Sequence, residues 1–337
     1  MAASPKIVIA GAGSIGCYVG GALALAGRDV RLLLRPRLGE ELRKNGLTIS
    51  DHHGRKRYLV AGQFGLATDA AALATADIIL VTVKSAASAE IAAQINSHAR
   101  PDALIVSFQN GIGNADTLRA GCGGRTVYPG MVGFNVVQLG DGKFHQATES
   151  ALYVPTHAPT LEPLFNVVGL ECRAHADMQA ILWGKLLLNL NNALNALSGL
   201  PLYDQLHDIR WRRLQAVMMD EALAAMSRAN ISPAKLTPLP SRFIPFLFRL
   251  PTPIFRHAMA ATLTIDRTAR SSMSEDLALG RMTEIDYLQG AVIALAKQHG
   301  LNAPLCERVT EAIRQAEATK AGSPNLSPEN LTRNDVI

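Results

Sequence analysis

A chain of 337 residues with 48% hydrophobic and 18% charged residues is too long for a single ordinary core and too apolar to be disordered, so two globular domains are expected. The net charge of +5 and the isoelectric point near 9.1 invite a nucleic-acid partner, but the basic residues are scattered and not interleaved with aromatics, so none is expected and the excess is read as an attraction for small anions. No apolar run of about 20 residues is free of polar groups, which argues against a membrane span.

The opening MAASPK runs into a strand at 6–10, leaving no room for a secretory core. A helix follows at 15–26 and a second strand at 29–35. Residues 47–60 are predicted as a hairpin turning at His53-Gly54. Near-continuous apolar strands at 77–84 and 103–109 are the kind buried on both faces of a parallel sheet, with a crossover helix at 86–99. Residues 126–155 look β-rich, with a turn at Gly140-Asp141-Gly142. Near Ala176 the period becomes helical and stays so to about 318. The domains are therefore placed at 1–175, an α/β dinucleotide-binding domain of the Rossmann type, and 176–321, an all-α substrate and catalytic domain. A polar tail at 322–337 is expected to be mobile. Arg210, Arg212 and Arg213 are read as a solvated helix face. The segment 233–253 holds six prolines and cannot be one continuous helix; an extended surface loop, a lid or a packing arm are open alternatives. Cys17, Cys122, Cys172 and Cys306 form no CxxC and have no neighbouring His, which fits neither a disulfide framework nor a metal site and suits the cytoplasm. The leucine- and methionine-rich pattern of the second domain is compatible with a homodimer.

Gly11-Ala12-Gly13-Ser14-Ile15-Gly16 is a GxGxxG between an apolar strand and a helix. The glycines allow a tight turn, approach of the backbone to a pyrophosphate and close helix–strand packing, and the helix N-terminus offers amides to the phosphates. An NAD-preferring strand two would end in an acid for the ribose 2′-hydroxyl. Here it ends Leu33-Leu34-Arg35-Pro36-Arg37. A guanidinium can hold a 2′-phosphate with paired hydrogen bonds, so NADP (NADPH) is the expected cofactor, read by Arg35 with Arg37 as a helper.

Three further segments carry polar residues that packing alone does not require. Asn110 follows a buried strand, at the end of a parallel sheet where ligands bind; an Asn-Gly turn is the plainer explanation. On the leucine-rich helix from Leu182, Lys185, Asn189 and Asn192 fall on one stripe. A buried ammonium is costly and its pKa moves down, towards that of a general acid, unless the lysine snorkels to water. Ser272 with Glu275, and Thr283 with Asp286, have capping-box spacing, so both segments also have an ordinary reading as helix starts.

Taken in order, GAGSIG, LLLR, VTVKS, QNGIG, LWGKLLLN, SSMSED and TEIDYLQG resemble the ketopantoate reductase family, the NADPH enzymes of pantothenate synthesis, along nearly the whole chain. The resemblance implies that Lys185 is the catalytic lysine protonating the developing alkoxide. It likewise makes Glu284 the active-site glutamate, which binds the substrate hydroxyl beside the lysine and is grouped with the cofactor contacts as well. Asn110 would lie at the cofactor–substrate junction, Lys84 near the cofactor, Asn189 facing the substrate and Ser272 on its carboxylate. Where the family often has an asparagine eight residues after the lysine, this chain has Ala193, with Asn192 as a substitute. The expected reaction is NADPH-dependent reduction of a small anionic 2-oxo acid, ketopantoate first, with no metal. The rival readings are a reductase of another 2-oxo acid or amide, and an NADPH sensor, which would have no use for Lys185 and Glu284 together.

Overall fold

The computed structural model describes residues 4–259 and 267–332. They fall into two compact units, Met1–Met178 and Gln179–Ile337.

The first unit begins β1 (Lys6–Ala10), α1 (Ser14–Leu25), β2 (Asp29–Leu33), α2 (Pro36–Asn45), β3 (Leu47–Asp51), β4 (Lys56–Leu59) and β5 (Gly65–Ala67). It continues through β6 (Ile78–Val81), α3 (Ser88–His98), β7 (Leu104–Ser107), α4 (Asn114–Gly121) and β8 (Val127–Pro129). The last elements are β9 (Met131–Val132), β10 (Val136–Gly140), β11 (Lys143–Gln146), β12 (Leu152–Pro155), α5 (Leu161–Phe165) and β13 (Cys172–His175). A parallel six-stranded sheet runs β5-β2-β1-β6-β7-β8, the mixed α/β architecture expected.

Alternation along these strands fills two cores. Ile7, Ile9, Val30, Leu32 and Leu80 pack on one face with α1, while Val8, Ala10, Ile79, Val81 and Ile105 pack on the other with α3 and α4. Each such valine, leucine or isoleucine contributes roughly 1.5–3 kcal/mol by leaving water. Helix α1 lies close because Gly20 faces Leu32 and Ile9, where a Cβ would come within 2.6 and 3.1 Å. The β3–β4 hairpin forms as expected and joins a second sheet, β10-β11-β3-β4. The predicted turn is there too, with Gly140, Asp141 and Gly142 all at positive φ. Tyr18 ties that sheet to α1 by donating to Gln146 Oε1 (2.7 Å) and the Gly169 carbonyl (3.2 Å). Strands β9, β12 and β13 make a third, smaller sheet.

The second unit is helical: α6 (Met178–Asn189), α7 (Asn191–Ser198), α8 (Leu202–His207), α9 (Ile209–Arg228), α10 (Ile244–Arg249), α11 (Thr252–Met259), α12 (Ser272–Ala278), α13 (Gln289–Gln298) and α14 (Pro304–Thr319). The long α9 starts at Asp208, whose carboxylate accepts from Arg210 N at 2.8 Å. Further along α9, Glu221 accepts from the amides of Leu305 and Cys306 (2.8 and 2.9 Å), placing a carboxylate on the positive end of α14. No described helix is long and apolar enough to cross a membrane.

Three expectations are corrected here. Arg212 is not on a solvated face: it is fully buried, and only Arg210 and Arg213 are exposed. Its guanidinium donates to the carbonyls of Leu206 (2.9 Å), Phe248 (3.2 Å) and Leu250 (2.8 Å) and to Thr252 Oγ1 (3.2 Å), and its carbon lies 4.2 Å from the Phe255 ring centre. Burial lowers its pKa from the usual guanidinium value. Second, the proline-rich segment is irregular only over 233–240, and from Ser241 it turns helical through a 3-10 turn, α10 and the start of α11. Pro245 sits in the first turn of α10, where a missing amide costs nothing, so this proline starts a helix rather than breaking one. Third, residues 322–332 do not hang free as a tail. Leu326 N donates to the Leu197 carbonyl (2.8 Å), Arg308 Nε donates to the Leu331 carbonyl (3.0 Å), and Leu331 is buried. Residues 333–337 of the expected tail lie outside the described residues.

Replacing Arg212 with Met nearly keeps volume but removes the donor from one buried and two part-buried carbonyls. Urea unfolding of Arg212→Met is expected to show a loss of about 3 kcal/mol.

Candidate active site

In the first unit the chain leaves β1 through Gly11, whose φ of +82° favours glycine. Gly11 N and Ala12 N donate to the Leu33 carbonyl (3.0 and 2.9 Å), fastening this loop to the end of β2 two residues before Arg35. A Cβ on Gly11 would collide with the Val83 side chain, and one on Gly16 would lie 2.6 Å from Thr82 Oγ1 and 2.9 Å from Ile9 Cγ2. Gly13 is different: a Cβ there meets nothing nearer than the Gly11 carbonyl at 4.0 Å. It is also the N-cap of α1 and offers no capping side chain. The first and third glycines are thus fixed by packing, and the middle one faces open space at a helix N-terminus, next to Ser14 and Ile15. That cradle fits the pyrophosphate of a dinucleotide.

Arg35 caps the N-terminus of α2 with an extended backbone, and both it and Arg37 are exposed and outside any ion pair among the described residues. The carboxyl ends of β6 and β7 lie beside β1 in the sheet. Lys84, exposed, stands just past β6 at the start of a 3-10 turn (Ser85–Ala87). Asn110, half-buried, follows β7, and its backbone carbonyl accepts from Ser85 Oγ and Asn114 Nδ2, both at 2.8 Å. Sheet topology therefore brings Gly11–Gly16, Arg35, Lys84 and Asn110 to one edge of this unit.

In the second unit Lys185 is half-buried on α6, and burial of its ammonium lowers its pKa from 10.5 to about 8. Asn189, one turn on, is half-buried as well. The expected continuous helix is interrupted at Leu190, between α6 and α7, so the Lys185–Asn189–Asn192 stripe crosses a break. Leu190 keeps helical dihedrals there, and two nearby carbonyls accept side-chain donors from other elements. Gln289 Nε2 supplies one to Leu190 O (2.8 Å) and Gln215 Nε2 another to Leu187 O (3.4 Å). Gln289 follows closely on Glu284, which is buried at the start of the 3-10 turn Ile285–Tyr287. The segment carrying Glu284 is thereby tied to the end of the helix that carries Lys185.

Ser272 is exposed in the first turn of α12, and the cap is its neighbour Ser271, which accepts from Ser274 N at 3.1 Å. Ser271 also donates to the Asn192 carbonyl (2.9 Å), and its amide donates to Asn195 Oδ1 (2.8 Å). The box expected from Ser272 to Glu275 is thus shifted by one residue, which leaves the Ser272 hydroxyl out of the cap. The Thr283–Asp286 box is also absent. Thr283 Oγ1 accepts from Ile285 N (3.2 Å), while Asp286 pairs with Arg314 (2.6 Å). Sequence reasoning missed Gln215, Gln289, Ser271 and Asn195. Gln289 lies inside TEIDYLQG, and a glutamine at a helical core position was the available signal.

Among the described residues, one group of metal-ligating types stands within reach of a common point, His52, His53 and Glu149. It is exposed on the β3–β4 turn and a neighbouring loop, with His–Glu separations of 3.8 and 3.7 Å, and shares no residue with the segments above.

A parallel sheet ending in a glycine cradle, joined in one chain to a helical unit bearing a desolvated lysine, defines a nicotinamide-dinucleotide-dependent oxidoreductase. Family models bear this out. Residues 7–159 match ketopantoate reductase PanE/ApbA and residues 177–317 match its C-terminal domain. The chain belongs to the ketopantoate reductase family. It is 28% identical to the 2-dehydropantoate 2-reductase of Pyrococcus horikoshii, covering 94% of this chain and 99% of that one. The PanE/ApbA family ketopantoate reductase of Ralstonia eutropha superposes with a TM-score of 0.79 at 27% identity, over 94% of this chain and 99% of the other. D-mandelate dehydrogenase, in a ternary structure with NADH and anilino(oxo)acetate, shares the fold, with a TM-score of 0.77 at 19% identity over 94% and 99% of the two chains.

Because a methyl at Gly13 meets nothing closer than the Gly11 carbonyl at 4.0 Å, Gly13→Ala should leave the melting temperature nearly unchanged. It should weaken dinucleotide binding by roughly tenfold or more, about 1.4 kcal/mol, as measured by fluorescence titration.

Proposed function

We propose that this chain reduces 2-dehydropantoate (ketopantoate) to pantoate with NADPH. The observation that carries this reading is the lysine on α6, whose ammonium is desolvated enough to titrate near 8 in a member of this family. When bound, the dinucleotide supplies the hydride. The residues of this chain do the rest. The turn Gly11, Ala12, Gly13, Ser14, Ile15 and Gly16 holds the pyrophosphate against the N-terminus of α1, Arg35 binds the 2′-phosphate, and Lys84 and Asn110 orient the nicotinamide end. Lys185 points its ammonium at the C2 carbonyl oxygen of the substrate, stabilises the negative charge that develops there, and gives that oxygen a proton. Glu284 holds the substrate's hydroxyl and belongs with the cofactor contacts, Asn189 and Asn192 line the substrate, and Ser272 binds its carboxylate. Lysine serves as the electrophile, so the chemistry asks for no metal. The four free, buried cysteines suit the cytoplasm, and a homodimer is the proposed assembly.

A second reading is the reduction of a different small 2-oxo acid by the same machinery. It is favoured by Ala193, which is fully buried and offers no amide where the family often has one. NADPH oxidation against a panel of 2-oxo acids separates the two: fastest turnover on ketopantoate supports the first, and a preference of tenfold or so for another acid replaces it with the second.

Lys185→Ala should lower turnover by roughly 10²–10³-fold; a rate within about threefold of wild type would remove the lysine from the chemistry. Since an acid must carry its proton, the rate should fall as pH rises through about 8, and Lys185→Ala should abolish that limb. Arg35→Asp should weaken NADPH far more than NADH, through loss of a cation and repulsion of the 2′-phosphate. Equal effects on the two cofactors would take Arg35 out of that contact.

A further inference from the structure

Beneath Lys84 and Asn110 lies a group of polar side chains that no packing argument demands. Ser85, Ser88, Ser107, Gln109 and Asn114 are all at most 5% exposed. Buried polar groups are expensive unless satisfied, and these satisfy one another. Asn114 Nδ2 donates to the Asn110 carbonyl (2.8 Å) and to Ser85 Oγ (3.1 Å), and Ser85 Oγ donates to the same carbonyl (2.8 Å). The Ser88 hydroxyl stands 2.7 Å from the Ser85 carbonyl and 2.9 Å from Asn114 Oδ1, with one proton for the two. Gln109 Nε2 donates to Ser88 Oγ (2.7 Å) and to the Val83 carbonyl (3.3 Å), while its Oε1 accepts from Ser107 Oγ (3.1 Å).

The pattern of anchor points is specific. Val83 and Ser85, the residues on either side of Lys84, are both held, and so is the backbone of Asn110. We infer that Asn114 and Gln109, acting through Ser85 and Ser88, are positioning residues that fix the Lys84 turn and the Asn110 turn against each other and so set the geometry of the nicotinamide end. This rests on the proposed roles of Lys84 and Asn110 towards the dinucleotide. The Phe108 amide still donates to the Val81 carbonyl (2.9 Å), and beyond that bond the two turns are held by the side chains just described. Gly111 and Gly113, at φ of +87° and +89°, give the second turn no stiffness of its own.

The test uses the full-length protein, with two nearly isosteric variants, Asn114→Leu and Gln109→Met, and Ile95→Val in the buried face of α3 as a stability control. NADPH affinity is measured by fluorescence titration without substrate, alongside melting temperature, KM for NADPH and kcat. A misplaced contact should weaken NADPH binding by roughly ten- to a hundredfold and lower kcat in both variants, and hydrogen exchange should quicken at 84–88 and 109–114. The Ile95→Val control should lose melting temperature and keep wild-type affinity. Folded Asn114→Leu and Gln109→Met proteins with affinity and kcat within about twofold of wild type would overturn the inference, as would affinity losses that merely track melting temperature across all three. If either fails to fold, Ser88→Ala is judged by the same criteria. Wild-type protein that binds NADPH but reduces no 2-oxo acid removes the proposed reaction, and the affinity measurements still decide the network.

Discussion

The cost of taking an ammonium out of water governs the second unit. Lys185 stands on a helix whose neighbours, Trp183, Leu186 and Leu187, are almost wholly buried, and that setting brings its pKa down to about 8. At neutral pH the group still carries its proton but holds it less tightly than a solvated lysine, the balance a proton donor needs. The break at Leu190 and the glutamine donors to the carbonyls near it belong to the same arrangement. They fasten the lysine-bearing helix to α9 and to the segment that carries Glu284.

The two units use different chemistry. In the first, recognition is delegated to backbone: glycines admit close approach, helix α1 presents its N-terminus, and the strand ends are braced by buried serines and amides. Side-chain identity there is set mainly by what must be absent, a Cβ at Gly11 or Gly16. In the second unit, under the proposed function, identity is set by what must be present, because a proton donor and a carboxylate cannot be supplied by main chain. Substitutions in the first should chiefly alter binding of the dinucleotide, and substitutions in the second the rate of the chemical step.

Much of this was legible in sequence, for identifiable reasons. Strand β1 and the apolar strands β6 and β7 announced themselves because a sheet covered on both faces needs near-continuous hydrophobic runs. GAGSIG was readable because sterics leave few alternatives to glycine there. The α/β unit followed by a helical one came from a change of period near Ala176. What failed was whatever depended on tertiary partners. Arg212 looked like its exposed neighbours Arg210 and Arg213 because nothing local marks a guanidinium destined for carbonyls some 36–38 residues away. The Ser271 cap was placed one residue late, since a run of two serines offers two equivalent registers and only the fold chooses. The 322–332 segment reads as a tail because its anchors are a main-chain bond from Leu326 to Leu197 and a side-chain bond from Arg308 to Leu331, and neither leaves a trace in periodicity.

Arg212 has a further consequence for how this protein can change. Its fork binds the proline-rich stretch through main-chain oxygens of Phe248 and Leu250, and it stacks on one aromatic ring, that of Phe255. Carbonyls are common to every residue type, so the anchor is indifferent to most of the sequence it secures. Ahead of the pinned points, side chains such as those of Leu239, Phe243 and Phe246 stand exposed and are free to drift over generations while the path of the chain is preserved. A single interior cation thus lets a lineage rewrite one stretch of its surface without rebuilding the helices beneath.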